Sequence, residues 1–225
     1  MSAKNNLKRL SAIAMLCAVA YLCMFVFKFK VSFLTFDFKD AILSVISFLF
    51  GPIYGVVSAI IVAFFEFISV SDTGVYGLIM NALSSATFAF VCGTIYKYRR
   101  TMSGAVIGAV VAVLSMTAVM LLANLFVTPY YMGVTRSDVV EILPILILPF
   151  NLCKGIINAA ITMIIYKPIT MALKKSKLIV SSNNAKINVK TTAILIVFSI
   201  IIVVLSVLVI LLVLNGKFQF FSLKG

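Results

Sequence analysis

Lys154 sits inside the apolar run LILPFNLCKGIINAA, about a dozen residues into a stretch that begins near Glu141. A charge at that depth of an apolar helix costs on the order of a few kcal/mol unless it faces protein, water or a ligand, which makes it a functional candidate. Asn151 precedes it by three positions and so shares its helical face. Together they can offer an amide donor and acceptor beside an ammonium donor. The competing reading is that Lys154 pairs with Glu66 or Asp40 as glue between helices. Asn81 and Asn124 are stranded in the same way on two other apolar runs. Asn124 falls near the outer end of its helix, as Asn151 does on the helix returning inward, so the two can share a cavity. An asparagine that only bonds a neighbouring membrane helix contributes about 1 kcal/mol, and that reading stays open, for Asn81 above all.

Chemistry of other kinds finds little material. There is no histidine, no GxSxG, no pair of acids spaced for acid–base work and no Walker A loop. The chain is therefore expected to be no enzyme and to hydrolyse no ATP by itself, which leaves binding or transport. Cys17, Cys23, Cys92 and Cys153 lie in apolar runs without CxxC spacing, so they read as buried free thiols, with neither metal nor cofactor implied.

The elements that must position these residues are membrane helices. The chain is 63% hydrophobic and only 11% charged, too apolar for a water-soluble fold of 225 residues. Its charge of +13 comes from basic residues placed between apolar runs, which is a topology signal and not a nucleic-acid surface. Runs long enough to cross the bilayer are 10–27, 76–96, 104–127, 143–166 and 191–214. The first continues into FKFKVSF without a small-x-small cleavage site, so it reads as an uncleaved span. The stretch 41–68 carries Gly51-Pro52 near its middle and reads as two short helices, 41–50 and 53–68.

Charge supports that division. With seven helices and a cytoplasmic N-terminus, twelve basic residues fall inside: Lys4, Lys8, Arg9, Lys97, Arg99, Arg100, Lys167, Lys174, Lys175, Lys177, Lys186 and Lys190. Merging the two short helices would put the last two clusters outside. The same topology places Asp37, Asp40, Glu66, Asp72, Asp138 and Glu141 on the outer half, beside two long loops, 28–40 and 128–142, and leaves the C-terminus outside. Ala14 and Ala18, extended by Ala12, form a small-residue stripe on the first helix, and Gly104 and Gly108 form another on the fifth.

These segments resemble the substrate-binding S components of energy-coupling factor (ECF) vitamin transporters, and within them the riboflavin-specific branch. The likeness is carried by FLTFDFKD (33–40), FLFGPIYG (48–55), MNALSSATF (80–88), ANLFVTPYY (123–131) and LPFNLCKG (148–155), in order over residues 10–175, with AxxxA at 14–18 matching the family's docking stripe. The resemblance implies an all-α integral membrane domain over 1–175 with a six-helix core. Beyond it come a basic polar linker (176–190), an additional seventh transmembrane helix (191–214) and a short tail (215–225), which depart from the family pattern.

It also implies a ligand and partners. Riboflavin would be bound from the extracytoplasmic side, its ring edge held by Asn124, Asn151 and Lys154 and its faces covered by Leu34, Phe36 and Phe150. Thr35, Asp37, Lys39 and Asp40 would serve the ribityl chain or hold the loop closed. FMN or another vitamin is the alternative ligand, with Lys28, Lys30 and Lys39 available to a phosphate. Uptake across the bacterial cell membrane would need a transmembrane coupling subunit, docked through Ala14 and Ala18, and two cytoplasmic ATPases. A reading from another class is a stand-alone secondary transporter with Glu66 and Lys154 as ion-coupling groups; it expects paired broken helices, and only Gly51-Pro52 offers one.

Overall fold

The computed structural model describes residues 3–179. The expected helix 191–214, most of the linker and the tail lie outside the described residues. Helix α1 spans Ala3–Val26, and a two-stranded antiparallel hairpin follows, β1 (Phe29–Val31) and β2 (Leu34–Phe36), paired in the register Phe29↔Phe36. Then come α2 (Lys39–Phe50), α3 (Pro52–Val70), α4 (Gly74–Tyr98), α5 (Met102–Met132) and α6 (Arg136–Ile142). A π-helical turn, Leu143–Ile147, joins α6 to α7 (Leu148–Lys175). The last three run on as one helical segment of 40 residues, so the described residues form six continuous helices.

Five of these are long and apolar enough to cross a membrane: α1, α3, α4, α5 and the continuous segment Arg136–Lys175. Helix α2 is the exception. Its 12 residues rise about 18 Å, short of a bilayer core. It survives because the bundle, not lipid, surrounds it: every residue from Lys39 to Phe48 is buried, packed among α1, α3, α4 and α7. The break after it is the Gly51-Pro52 corner. Gly51 takes φ 108°, which a side chain would oppose, and Pro52 opens α3 with a preset φ and no wasted donor.

The core lies in three clusters. Ala12, Leu16 and Ala20 of α1 pack on Ile42, Leu43 and Ile46 of α2 and on α3. Phe88 and Cys92 of α4 meet Ala105, Ala109, Ala112 and Met116 of α5. Val31 and Phe36 of the hairpin cover Leu146, Phe150 and Ile157 of the last helical segment. Small residues let the helices close: an added Cβ at Gly108 would lie 3.0 Å from the Cys92 carbonyl, so the Gly104/Gly108 stripe docks α5 on α4 and its preceding turn. At Gly93 an added Cβ would lie 2.6 Å from Cβ of Ser47 and 3.3 Å from Cα of Pro52, where α4 presses on the α2–α3 corner. Gly93→Ala is therefore expected to lower stability by about 1–3 kcal/mol, read as a lower melting temperature in detergent; an unchanged melting curve would show that the corner has room.

Several expectations are corrected. Ala12 does not extend the Ala14/Ala18 stripe: Ala12 is buried in the core with Leu16 and Ala20, while Ala14 and Ala18 are exposed on another face. Residues twelve and fourteen are 200° apart on a helix, so they cannot share a stripe. The loop 28–40 is a hairpin leading into the first turn of α2, and the loop 128–142 is mostly helix. Helix α5 carries Pro129 through to Met132, Gly133 closes it with a φ of 66°, and a capping box between Thr135 and Asp138 starts α6. Of the four cysteines only Cys92 and Cys153 are fully buried, and Cys17 and Cys23 are half-buried; all are free.

Candidate ligand-binding site

Leu34 and Thr35 on the hairpin, Asn81 on α4, Asn124 on α5, and Phe150, Asn151 and Lys154 on α7 converge on one cavity. Its empty volume is about 630 Å³ with the adjoining open solvent space included. Met120, Tyr76, Tyr131 and Phe33 add apolar wall. A second hollow of about 430 Å³ shares Phe33, Thr35, Thr73, Asn81 and Tyr131 with the first and adds Lys28, Lys30, Asp72 and Glu66. The first is a largely apolar chamber and the second a charged hollow beside it.

At the chamber, Asn124 donates Nδ2 to the Met120 carbonyl at 2.7 Å and accepts from Thr128 Oγ1 at 2.7 Å, which fixes its amide orientation. Asn151 donates Nδ2 to the Ile147 carbonyl at 2.8 Å, and among the described residues its amide makes no other hydrogen bond. Ser84 also lines the cavity, buried, with a hydroxyl that has no hydrogen-bond partner among the described residues. Lys154 donates Nζ to Asp37 Oδ2 at 3.0 Å and to the Thr35 carbonyl at 3.4 Å. That leaves the third ammonium hydrogen for the cavity.

Behind Lys154 runs a chain of buried charges. Lys39, with no exposed surface, bridges Asp37 Oδ2 at 3.1 Å and Glu66 Oε2 at 2.8 Å, and Glu66 Oε1 meets Lys28 at 3.5 Å. Five elements are thereby joined, from α7 through the hairpin's exit to α2, α3 and the end of α1. Burial opposes ionisation of Asp37, but the charges of Lys154 and Lys39 outweigh it and hold its carboxyl well below the usual carboxylate range. Asp40 accepts from Ser85 at Oδ1. Lys30 pairs with Asp72 on the surface, and that hydrogen bond and charge lower the Asp72 carboxyl.

The expected residues thus divide. Leu34, Thr35, Asn81, Asn124, Phe150, Asn151 and Lys154 reach the cavity. Phe36 lies behind the wall, edge-on to Phe150 with ring centroids 6.1 Å apart. Asp37, Lys39 and Asp40 are behind it too, buried in ion pairs and hydrogen bonds that tie the hairpin down. The partner of Lys154 is Asp37, not Glu66 or Asp40, because α2 and α3 engage Glu66 through Lys39. Sequence reasoning passed over Asn158 and Ser84. Asn158 is four residues after Lys154 and seven after Asn151, so the helical period alone could have placed it on the same face.

Fold and site define a multi-pass helical membrane protein with a polar-lined cavity among its helices. The family model of the ECF transporter substrate-specific component matches residues 8–166. The riboflavin transporter RibU of Staphylococcus aureus (strain TCH60) is 32% identical over 179 residues, covering 75% of this chain and 93% of its own. The riboflavin transporter RibU of Streptococcus thermophilus (strain ATCC BAA-250 / LMG 18311) is 24% identical over 184 residues, covering 76% and 87%. A solved S component of a bacterial ECF transporter superposes with a TM-score of 0.64 at 31% identity, over 75% of this chain and 99% of that one. The chain belongs to the ECF transporter substrate-specific components.

Proposed function

We propose that this chain binds riboflavin from the extracytoplasmic side and mediates its uptake as the substrate-specific subunit of an ATP-driven transporter in the bacterial cell membrane. The observation that carries the reading is the convergence of Asn124, Asn151 and Lys154 with Leu34 and Phe150 on one cavity. A flavin's pyrimidine edge presents carbonyl acceptors and an N–H donor, which amides match on both sides, and the lysine adds a charge-assisted bond to a carbonyl oxygen. The apolar wall takes the ring faces, where burial supplies much of the affinity. The relatives named as riboflavin transporters support the ligand.

FMN is the less favoured ligand. Lys28 and Lys30 in the charged hollow are already paired with Glu66 and Asp72, and Lys39 is buried between Asp37 and Glu66, so a phosphate would have to break an existing pair. The N-terminus is cytoplasmic in this reading, by the placement of the basic clusters. Energy comes from two cytoplasmic ATPases through a transmembrane coupling subunit, for which the exposed Ala14 and Ala18 of α1 form a close-packing stripe.

Protein purified in detergent is expected to be yellow, or to quench added riboflavin fluorescence to a one-to-one end point. Riboflavin should be displaced by excess riboflavin, poorly by FMN and not by thiamine. A chain that neither carries nor quenches flavin removes the riboflavin reading.

A further inference from the structure

Asn158 touches neither hollow, has no exposed surface, and uses both amide hydrogens and its amide oxygen to hold other groups in place. Its two Nδ2 hydrogens go to the carbonyls of Asp37 at 2.9 Å and Lys154 at 3.0 Å, the backbones of the two partners in the buried ion pair. Its Oδ1 accepts from the Ala41 amide at 3.0 Å, in the first turn of α2, where the residue before the helix provides no side-chain cap. One turn on, the single Thr162 hydroxyl hydrogen is shared between the Asn158 carbonyl at 2.7 Å and the Ala41 carbonyl at 3.4 Å. The segment 37–41 is thus clamped to the turn of α7 that carries Lys154.

We infer that Asn158 is a positioning residue for ligand recognition: it fixes the backbones of Asp37 and Lys154 against each other, and so aims the Lys154 ammonium into the cavity. Recognition groups keep their geometry when the residues behind them are locked to within about half an ångström, and a single amide bonded to both backbones provides that lock. With both amide hydrogens committed and its side chain outside both hollows, Asn158 acts through the pair it holds. Removing the amide leaves the Asp37 carbonyl without this donor and frees the segment 37–41 to drift, so the ammonium loses its bearing although every cavity-lining residue remains.

The inference rests on the riboflavin reading for its ligand measurement only. In the full chain purified in detergent, Asn158→Leu, of similar volume, is expected to weaken riboflavin binding roughly tenfold, but less than about twofold when Lys154 is already methionine, because contacting groups show non-additive losses. Thr162→Val, which removes a neighbouring bond without touching the ion pair, should cost less than about twofold. Amide hydrogen exchange of residues 34–41 in the ligand-free protein should rise roughly tenfold in Asn158→Leu. An equal loss of affinity in both backgrounds, or unchanged exchange over 34–41, overturns the inference. If Asn158→Leu fails to accumulate, Asn158→Ser is put through the same comparison. If the unaltered chain does not bind riboflavin, the ligand reading fails by itself, and the exchange measurement still decides the role of Asn158.

Discussion

Lys154→Met is expected to weaken riboflavin binding by roughly ten- to a hundredfold, as a charge-assisted hydrogen bond of about 1.5–3 kcal/mol is lost. Methionine keeps most of the length and apolar bulk of the stem. The deleted charge does not leave its partner stranded, because Asp37 retains Lys39 at 3.1 Å. The loss, read by fluorescence-quenching titration, should therefore fall on the ligand more than on the fold, and the melting curve should shift less than that of Lys39→Met, which takes a cation from both Asp37 and Glu66. Lys154→Arg is not a rescue, since a planar fork cannot hold Asp37 and the cavity along the same directions as a compact ammonium. Binding within twofold of the unaltered chain would show that the ammonium does not meet the ligand.

The chamber was legible because membrane helices are apolar by necessity, and each polar exception stands out. Asn124, Asn151 and Lys154 break otherwise continuous runs, and all three line the cavity. The charged support behind them was not legible in the same way. Asp37 and Lys154 are 117 residues apart, and nothing local says that the carboxylate chosen is Asp37 and not Asp40 or Glu66. Tertiary packing decides that, through a short α2 that buries Lys39 and Asp40 at its first turn.

Local signals explain the other gaps. The segment 128–142 looks like a loop because it mixes Thr, Pro, Tyr, Gly, Arg and Asp, yet Thr135 and Asp138 carry the spacing of a capping box and begin a helix. The run 143–166 carries Pro144 and Pro149 near its start, and there the chain takes a π-helical turn, Leu143–Ile147, with the Leu148 amide reaching back to the Leu143 carbonyl, and stays helical into α7. The division at Gly51-Pro52 was legible from the pair together with the placement of the basic clusters, and the corner takes a φ that favours glycine.

Lys39→Met is expected to cost about 3–5 kcal/mol of stability, the largest effect on the fold of any substitution considered, because it breaks a buried ion pair from its centre. Lys39 has no exposed surface and is the one cation that touches both Asp37 and Glu66 among the described residues. Without it Asp37 depends on Lys154 alone, and Glu66 on Lys28 at 3.5 Å. The variant should melt well below the unaltered chain or accumulate poorly in the membrane. Adding Glu66→Gln should restore part of the loss, since it removes one of the two carboxylates left short of charge, while Glu66→Gln alone should destabilise by stranding part of the Lys39 ammonium. Affinity should follow the same order, because a Lys154 that must serve Asp37 alone has less freedom to face a ligand. If the double variant is no more stable than Lys39→Met, the buried charges do not act as a connected chain, and the hairpin is held by its apolar contacts with Leu146, Phe150 and Ile157.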